Sequence, residues 1–166
     1  MKKELILVRH AQSHPVESGL KDVDRSLTDA GLREASRLGR YLYVKENIPE
    51  RIMTSHALRS IQTARFLTEQ LRMEYSHVEE IEDLYEASVR TLLQFINELD
   101  KTSQKVLIIG HNPAISHLVE HLTEEDVGSL PAGSMVHLSF ANLNWAEISK
   151  GTGIIMDQKH PDQIVI

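Results

Sequence analysis

Short apolar runs alternate with longer amphipathic segments along most of the chain, and this alternation limits the possible folds more than any other feature. Residues 5–8 and 106–109 are apolar at consecutive positions, as expected for strands covered on both faces. Two weaker strands are predicted at residues 51–53 and around residues 77–81. Because strands that alternate with helices are joined by crossover connections, the pattern predicts an α/β fold with a mostly parallel sheet.

Four helices are predicted between and after these strands, since their apolar residues recur every three or four positions. The first follows Thr28, whose side chain suits a helix N-cap, and the second covers about residues 57–72. The third follows Ser88. The fourth begins at Asn112-Pro113, where proline suits the first helical turn.

The C-terminal part of the sequence has a different pattern. Residues 135–140, 145–149 and 154–156 are typical of short strands joined by turns that contain Asn and Gly. These strands predict an antiparallel C-terminal edge of the sheet. No repeat, low-complexity segment or linker interrupts the sequence, so we expect a single domain over residues 1–166.

The composition argues against several classes of protein. Asp and Glu number 24 against 18 Lys and Arg, the opposite of the balance typical of nucleic-acid binders. The absence of cysteine removes thiolate nucleophiles and Cys-containing zinc sites, and it fits a reducing compartment. No apolar run approaches the roughly 18 residues of a membrane span. We expect a cytoplasmic protein that binds neither nucleic acid nor membranes.

Charged and polar side chains follow each of the four predicted parallel strands. Arg9 and His10 follow the first strand, Arg59 opens the helix after the second, Glu86 follows the third, and His111 follows the fourth. Because loops and helix N-termini converge at the carboxyl ends of parallel strands, we expect these residues to lie at one edge of the sheet.

This set of side chains suits phosphoryl transfer. Arginine presents a rigid fork of donors that matches phosphate oxygens in pairs, and a helix N-terminus adds unpaired N–H groups. A histidine can attack phosphorus and carry the phosphoryl group, while a carboxyl group can protonate the leaving oxygen. Cationic side chains can neutralise the phosphoryl charge, so we expect no metal and no cofactor.

At these positions the sequence resembles the histidine phosphatase superfamily, whose members have a phosphoglycerate mutase-like fold. Residues 7–11, Leu-Val-Arg-His-Ala, resemble the strand ending in Arg-His-Gly, with Ala11 in place of the glycine. Residues 25–31 resemble the segment R-x-L-T-x-x-G, and residues 55–64 resemble S-x-x-x-R-x-x-Q-T-A. Residues 110–113 resemble the second-histidine motif. Residues 84–88 and Trp145 are most similar to the SixA-type phosphohistidine phosphatase branch.

The resemblance implies a three-layer α/β/α fold and a role for each motif residue. His10 would be the nucleophile and phosphate carrier, and Glu86 the general acid. Arg9, Arg59 and His111 would form the phosphate pocket, with Arg25 as a further contact.

Residues 117–121 carry a competing signal, because His-x-x-Glu-His occurs in some zinc proteases. His117, Glu120 and His121 lie largely away from the apolar stripe of their predicted helix, so we interpret them as a solvated face. Among the remaining histidines, His56 stands out because it follows Ser55 at the expected active edge.

We therefore hypothesise a metal-independent phosphatase that acts through a phosphohistidine intermediate on His10. The expected substrate is a phosphorylated protein carrying phosphohistidine, because imidazole is a better leaving group than an alkoxide. Two alternatives remain: a small-molecule phosphomonoesterase or phosphoglycerate mutase-like enzyme, and a noncatalytic phosphate-binding module.

Overall fold

The computed structural model describes residues 2–165; Met1 and Ile166, the ends of the predicted domain, lie outside the described residues. Six strands and four α-helices follow one another within this range, in the predicted order except at residues 145–149. The strands are β1 (Lys2–Arg9), β2 (Arg51–Ser55), β3 (Val78–Ile81), β4 (Lys105–Gly110), β5 (Met135–Ala141) and β6 (Ile154–Lys159). The helices are α1 (Asp29–Val44), α2 (Leu58–Leu71), α3 (Val89–Asn97) and α4 (Ala114–Thr123).

The strands form one mixed sheet in the order β3-β2-β4-β1-β5-β6. The strands β1 to β4 are parallel to one another, whereas β5 and β6 pair antiparallel at the C-terminal edge. Both features confirm the predicted topology. Since β1 lies between β4 and β5, the residues that follow β1 are near the centre of the sheet.

Helices cover both faces of the sheet and give the predicted three-layer arrangement. Apolar residues of α1 and α2, among them Leu38 and Leu67, pack with Ile6 of β1 on one face. Apolar residues of α3 and α4 pack with Leu7 of the same strand on the other face. Alternate residues of β1 are thus buried in two different cores, which explains why its sequence is apolar at consecutive positions.

Two of the predicted helix starts have the expected caps. The side chains of Thr28 and Ser88 accept hydrogen bonds from the backbone N–H groups three residues later, at the starts of α1 and α3. Helix α4 begins one residue later than predicted, at Ala114, with Pro113 in the N-cap position.

The strand predicted at residues 145–149 is wrong, because Trp145–Glu147 form a 3₁₀ turn. Trp145 and Ile148 are both buried, and their spacing of three residues brings them to the same side of the turn. The side chain of Glu147 accepts from the Asn144 backbone N–H and closes the turn. The apolar residues of this segment therefore reflect one packed turn instead of an extended strand.

Within residues 2–165, we find no helix that combines the length and the apolar character needed to cross a bilayer.

Candidate active site

The end of β1 is held by backbone hydrogen bonds on both sides. The Arg9 N–H donates to the Ser134 carbonyl oxygen over 3.1 Å, and the His10 N–H donates to the Gly110 carbonyl oxygen over 3.1 Å. The N–H of Gly133 contacts the carbonyl oxygens of both Arg9 and His10. The backbone that carries the two predicted site residues is therefore fixed by neighbouring segments.

His10 is buried, with 6% of its surface exposed. Its Nδ1 lies 2.8 Å from the carbonyl oxygen of Ala11. A carbonyl only accepts, so Nδ1 carries the hydrogen and Nε2 keeps a free lone pair. Burial, followed by the positive charges of Arg59, Arg9 and Arg25, lowers the pKa of His10 to about 4. The ring is therefore neutral near pH 7 and can act as a nucleophile.

His111 is the second imidazole of the site, and its ring centroid lies 5.1 Å from that of His10. Its Nε2 lies 2.6 Å from the hydroxyl oxygen of Ser55, and its Nδ1 lies 3.4 Å from Nη2 of Arg59. Burial, followed by the proximity of His10 and Arg59, lowers the pKa of His111 to about 3. The Ser55 hydroxyl can donate to Nε2 of His111 or accept from it, so the ring can carry its hydrogen on either nitrogen. Nδ1 can therefore accept a hydrogen bond from Arg59 in one tautomer and donate one to a ligand in the other.

Arg9 and Arg59 each have a buried donor that is not paired. Within residues 2–165, three buried side-chain nitrogens lack a hydrogen-bond partner, and two of them are Nε of Arg9 and Nε of Arg59. Arg59 is 5% exposed, so its positive charge is largely shielded from water. Because an unpaired buried donor is unfavourable, these guanidinium groups are suited to receive an oxyanion.

Asp22 lies between the arginine side chains. Its Oδ1 accepts from Nε of Arg25 over 2.8 Å, and its Oδ2 accepts from Nη2 of Arg59 over 3.0 Å. The hydroxyl of Tyr85 also donates to Oδ2. The Tyr85 hydroxyl, followed by the two guanidinium groups, holds the pKa of Asp22 far below its usual range, so its carboxylate is ionised.

Arg25 is close to the site, but several of its donors are used by neighbouring groups. Besides the contact with Asp22, its Nη1 donates to the His14 carbonyl oxygen over 2.7 Å and to the Ser13 hydroxyl over 3.1 Å. Its charge is near enough to contribute to the lowered pKa of His10. A direct contact of Arg25 with phosphate stays a prediction.

Glu86 is exposed and lines a cleft of about 320 Å³ together with Arg59, Tyr85 and His111. The carboxyl group can therefore approach a molecule bound in the cleft. Its role as general acid stays a prediction.

Sequence reasoning missed Asp22 and Tyr85 as site residues. The available signals were a carboxylate three residues before Arg25 and an aromatic residue directly before Glu86. Both signals are weak, because neither spacing indicates that the two side chains meet. The departure at Ala11 is accommodated, since Ala11 is not among the described non-glycine residues with a positive φ.

His117, Glu120 and His121 lie on α4 and line a separate surface pocket with Val89, Glu124 and Lys150. Among residues 2–165, no group of three or more His, Asp or Glu side chains is arranged to hold a metal ion.

Comparison with known proteins adds a family match and similar sequences. Residues 5–89, about half of the chain, match the family described as histidine phosphatase superfamily, branch 1. An uncharacterised protein of Mycobacterium leprae is 31% identical over 121 residues, which cover 70% of this chain and 71% of that protein. An uncharacterised protein of Mycobacterium tuberculosis is 27% identical over 161 residues, which cover 90% and 96%.

Solved structures with the same fold include two SixA proteins. The protein histidine phosphatase SixA in complex with tungstate superposes with a TM-score of 0.83 at 22% identity, covering 98% of this chain and 99% of that one. A protein of Agrobacterium tumefaciens assigned as SixA has a TM-score of 0.82 at 23% identity, covering 96% and 98%. The mycobacterial glucosyl-3-phosphoglycerate phosphatase has a TM-score of 0.65 at 15% identity, covering 94% and 98%.

Proposed function

The chain belongs to the histidine phosphatase superfamily, and on that premise we propose that it is a metal-independent phosphatase that forms a phosphohistidine intermediate on His10. The main support is the state of His10. Its Nδ1 is tied to the Ala11 carbonyl, its Nε2 lone pair is free, and its pKa is lowered to about 4. A neutral, oriented imidazole beside three guanidinium groups has the properties of a nucleophile for a phosphoryl group.

The first chemical step forms a bond between Nε2 of His10 and phosphorus. The phosphoryl oxygens are held by Arg9 and Arg59, which neutralise their charge, and by neutral His111, which donates a hydrogen bond. Arg25 adds a third cationic contact. The bond from phosphorus to the leaving group breaks on the opposite side, and the leaving group takes the bonding electron pair. Glu86, when protonated, supplies a proton to that leaving group.

In the second step, a water molecule gives a proton to the Glu86 carboxylate and attacks phosphorus, which releases inorganic phosphate. The P–N bond breaks, and its electron pair returns to Nε2 of His10. A nitrogen with a low pKa is a better leaving group than one with an ordinary pKa, so the environment of His10 favours hydrolysis of the intermediate.

The proposed substrate is phosphohistidine in a protein. Glu86 is exposed, so the proposed acid is not held rigidly against the scissile bond. An imidazole leaving group needs less help from an acid than the alkoxide of a sugar phosphate does. The SixA structures share this fold at low identity and support this choice of substrate by analogy.

The experiment measures phosphate release by the purified full-length protein from a phosphohistidine peptide, a phosphoserine peptide, phosphorylated sugars and 3-phosphoglycerate. We expect the highest kcat/KM with the phosphohistidine peptide, undiminished by EDTA. Labelled substrate should leave acid-labile, base-stable phosphate on the wild type and none on His10→Asn. His117→Asn is the matched control, because it makes the same change at an exposed histidine on α4 and should behave as the wild type.

The other outcomes each identify a different function. Preference for a sugar phosphate would favour a small-molecule phosphomonoesterase, and transfer between two hydroxyl groups would favour a mutase. Tight phosphate binding with no hydrolysis of any substrate would favour a noncatalytic module. Activity that is lost with EDTA and restored by zinc, together with loss of activity in His117→Asn, would overturn the metal-independent mechanism.

A further inference from the structure

We infer that Asp22, held in place by Tyr85, is a positioning residue of the active site, which orients the guanidinium groups of Arg25 and Arg59 toward a bound phosphoryl group. The inference rests on the proposed function, because it assigns a role to the oxyanion pocket that this function uses. Asp22 does not itself contact the phosphoryl group in this scheme; it acts through the two arginines.

Asp22 contacts both arginines from one position. It opens the 3₁₀ turn Asp22–Asp24, and Arg25 directly follows that turn. Its carboxylate contacts Nε of Arg25 and Nη2 of Arg59, while its backbone carbonyl oxygen accepts from Nη1 of Arg59 over 2.8 Å. These contacts constrain the plane of the Arg59 guanidinium and leave its buried Nε without a partner.

Tyr85 determines where the Asp22 carboxylate lies. The side chain of Asp22 is 41% exposed, so the arginine contacts alone would leave it partly mobile in water. The Tyr85 hydroxyl donates to Oδ2 of Asp22, and the Tyr85 ring lies 5.8 Å from the Arg59 guanidinium carbon and 5.6 Å from the His111 ring. Tyr85 therefore contacts the Asp22 carboxylate, the Arg59 guanidinium and the His111 imidazole.

Whether neutralisation of Asp22 weakens or strengthens oxyanion binding distinguishes a role in orienting the arginines from a purely electrostatic effect of its charge. A carboxylate beside an anion site repels the anion, so removal of its charge alone should strengthen oxyanion binding. Loss of orientation has the opposite effect, because the guanidinium donors no longer converge on the oxygens. Weaker oxyanion binding after neutralisation of Asp22 is therefore specific to a positioning role.

The experiment measures equilibrium binding of tungstate to the full-length protein by calorimetry, alongside kcat and KM. We expect Asp22→Asn to weaken tungstate binding by about tenfold to a hundredfold, since it disturbs charged hydrogen bonds to two guanidinium groups. We expect kcat/KM to fall by a similar factor, with a melting temperature close to that of the wild type. Asp24→Asn is the matched control, because it removes the same charge from an exposed residue of the same turn; it should leave tungstate affinity unchanged.

A double-mutant cycle tests the contribution of Tyr85. Tyr85→Phe removes only the hydroxyl and should weaken tungstate binding, but by less than Asp22→Asn does. In the Asp22→Asn background the same change should have little further effect, because both act through the same carboxylate. Additive losses would overturn the role given to Tyr85. If Asp22→Asn does not fold, unchanged tungstate affinity in Tyr85→Phe overturns the inference.

The results also distinguish this inference from the proposed function. Tighter or unchanged tungstate binding by Asp22→Asn, in a wild type that hydrolyses phosphohistidine, overturns the inference alone. A wild type that binds tungstate but hydrolyses no substrate overturns the proposed function, while the binding data still decide the role of Asp22. A wild type that binds no tungstate overturns both.

Discussion

At the scale of single residues, the environment of His111 depends on the Ser55 hydroxyl. Ser55 is fully buried at the end of β2, and its oxygen lies 2.6 Å from Nε2 of His111. The hydroxyl of Ser60 lies 3.4 Å from the same nitrogen, at the limit of hydrogen bonding. Ser55 therefore provides the main contact that orients the second imidazole.

We predict that Ser55→Ala lowers kcat/KM by about tenfold and destabilises the protein by about 1–3 kcal/mol, because a buried ring nitrogen loses its partner. Ser60→Ala should cause a clearly smaller loss of activity, since its contact is longer. Steady-state kinetics and thermal unfolding of the two variants test this difference. Equal losses in both would show that Ser55 has no special role in orienting His111.

At the scale of secondary-structure elements, hydrogen bonds between backbone and side chains join the segments that carry the family motifs. The Ala11 N–H after β1 donates to the Thr63 hydroxyl of α2 over 3.1 Å. The Leu27 N–H donates to the side-chain oxygen of Gln62, also on α2, over 2.7 Å. The motif residues thus serve two purposes: some line the candidate site, and others join the segments that carry it.

Gly31, in the first turn of α1, is a motif residue that joins two segments. A Cβ at position 31 would overlap the Gln12 carbonyl oxygen and lie 3.0 Å from its carbonyl carbon. That carbonyl accepts from the Thr28 N–H over 3.0 Å, so the backbone after His10 lies directly against the first turn of α1. Only glycine allows this close approach.

We predict that Gly31→Ala destabilises the protein by more than about 1 kcal/mol, although alanine is normally the better helix former by about that amount. The displaced Gln12 segment should also shift His10 and lower kcat. Arg33→Ala is the control, because it introduces alanine at an exposed position of the same helix. Urea unfolding and kinetics provide the measurements, and a stabilised Gly31→Ala variant would contradict the close packing of Gly31 against Gln12.

At the scale of the whole molecule, the active site makes stability depend on pH. Burial and the charges of nearby arginines lower the pKa values of His10 and His111 to about 4 and about 3. In the unfolded chain both rings titrate near the ordinary value of 6.5. Between about pH 6.5 and pH 4, the unfolded state therefore binds protons that the folded state does not, so stability falls as the pH falls.

We predict that replacing His10 with Asn reduces this pH dependence. The slope of the free energy of unfolding against pH should differ between wild type and variant by up to about 1.4 kcal/mol per pH unit near pH 5, the value for one proton. Urea unfolding monitored by circular dichroism between pH 4.5 and pH 7.5 measures this difference. Parallel curves for the two proteins would show that His10 is not kept neutral by the fold.

The apolar and polar patterns of the sequence predicted much of the fold. The alternation of apolar runs predicted most of the order of strands and helices. The polar residues after the strands gave candidate site residues, and among them Arg59 and His111 lie close to His10. The prediction of a strand at residues 145–149 was wrong, because apolar residues three positions apart fit either a packed turn or a short irregular strand. Trp145 is buried in that turn by contacts with distant parts of the chain, among them a hydrogen bond from its indole N–H to the Ser103 carbonyl oxygen.

Strand and helix periodicity and strand ends are local properties of a chain. The α/β class, the antiparallel C-terminal edge and the candidate site residues could therefore be predicted from the amino-acid sequence. By contrast, the contact of Asp22 with Tyr85, 63 residues away, beside Arg59 could not be predicted before the chain was folded. Their contact depends on the order of strands in the sheet and on the conformation of two loops. Packing between distant segments determines both the strand order and the loop conformations, and the local spacing of residues does not predict that packing.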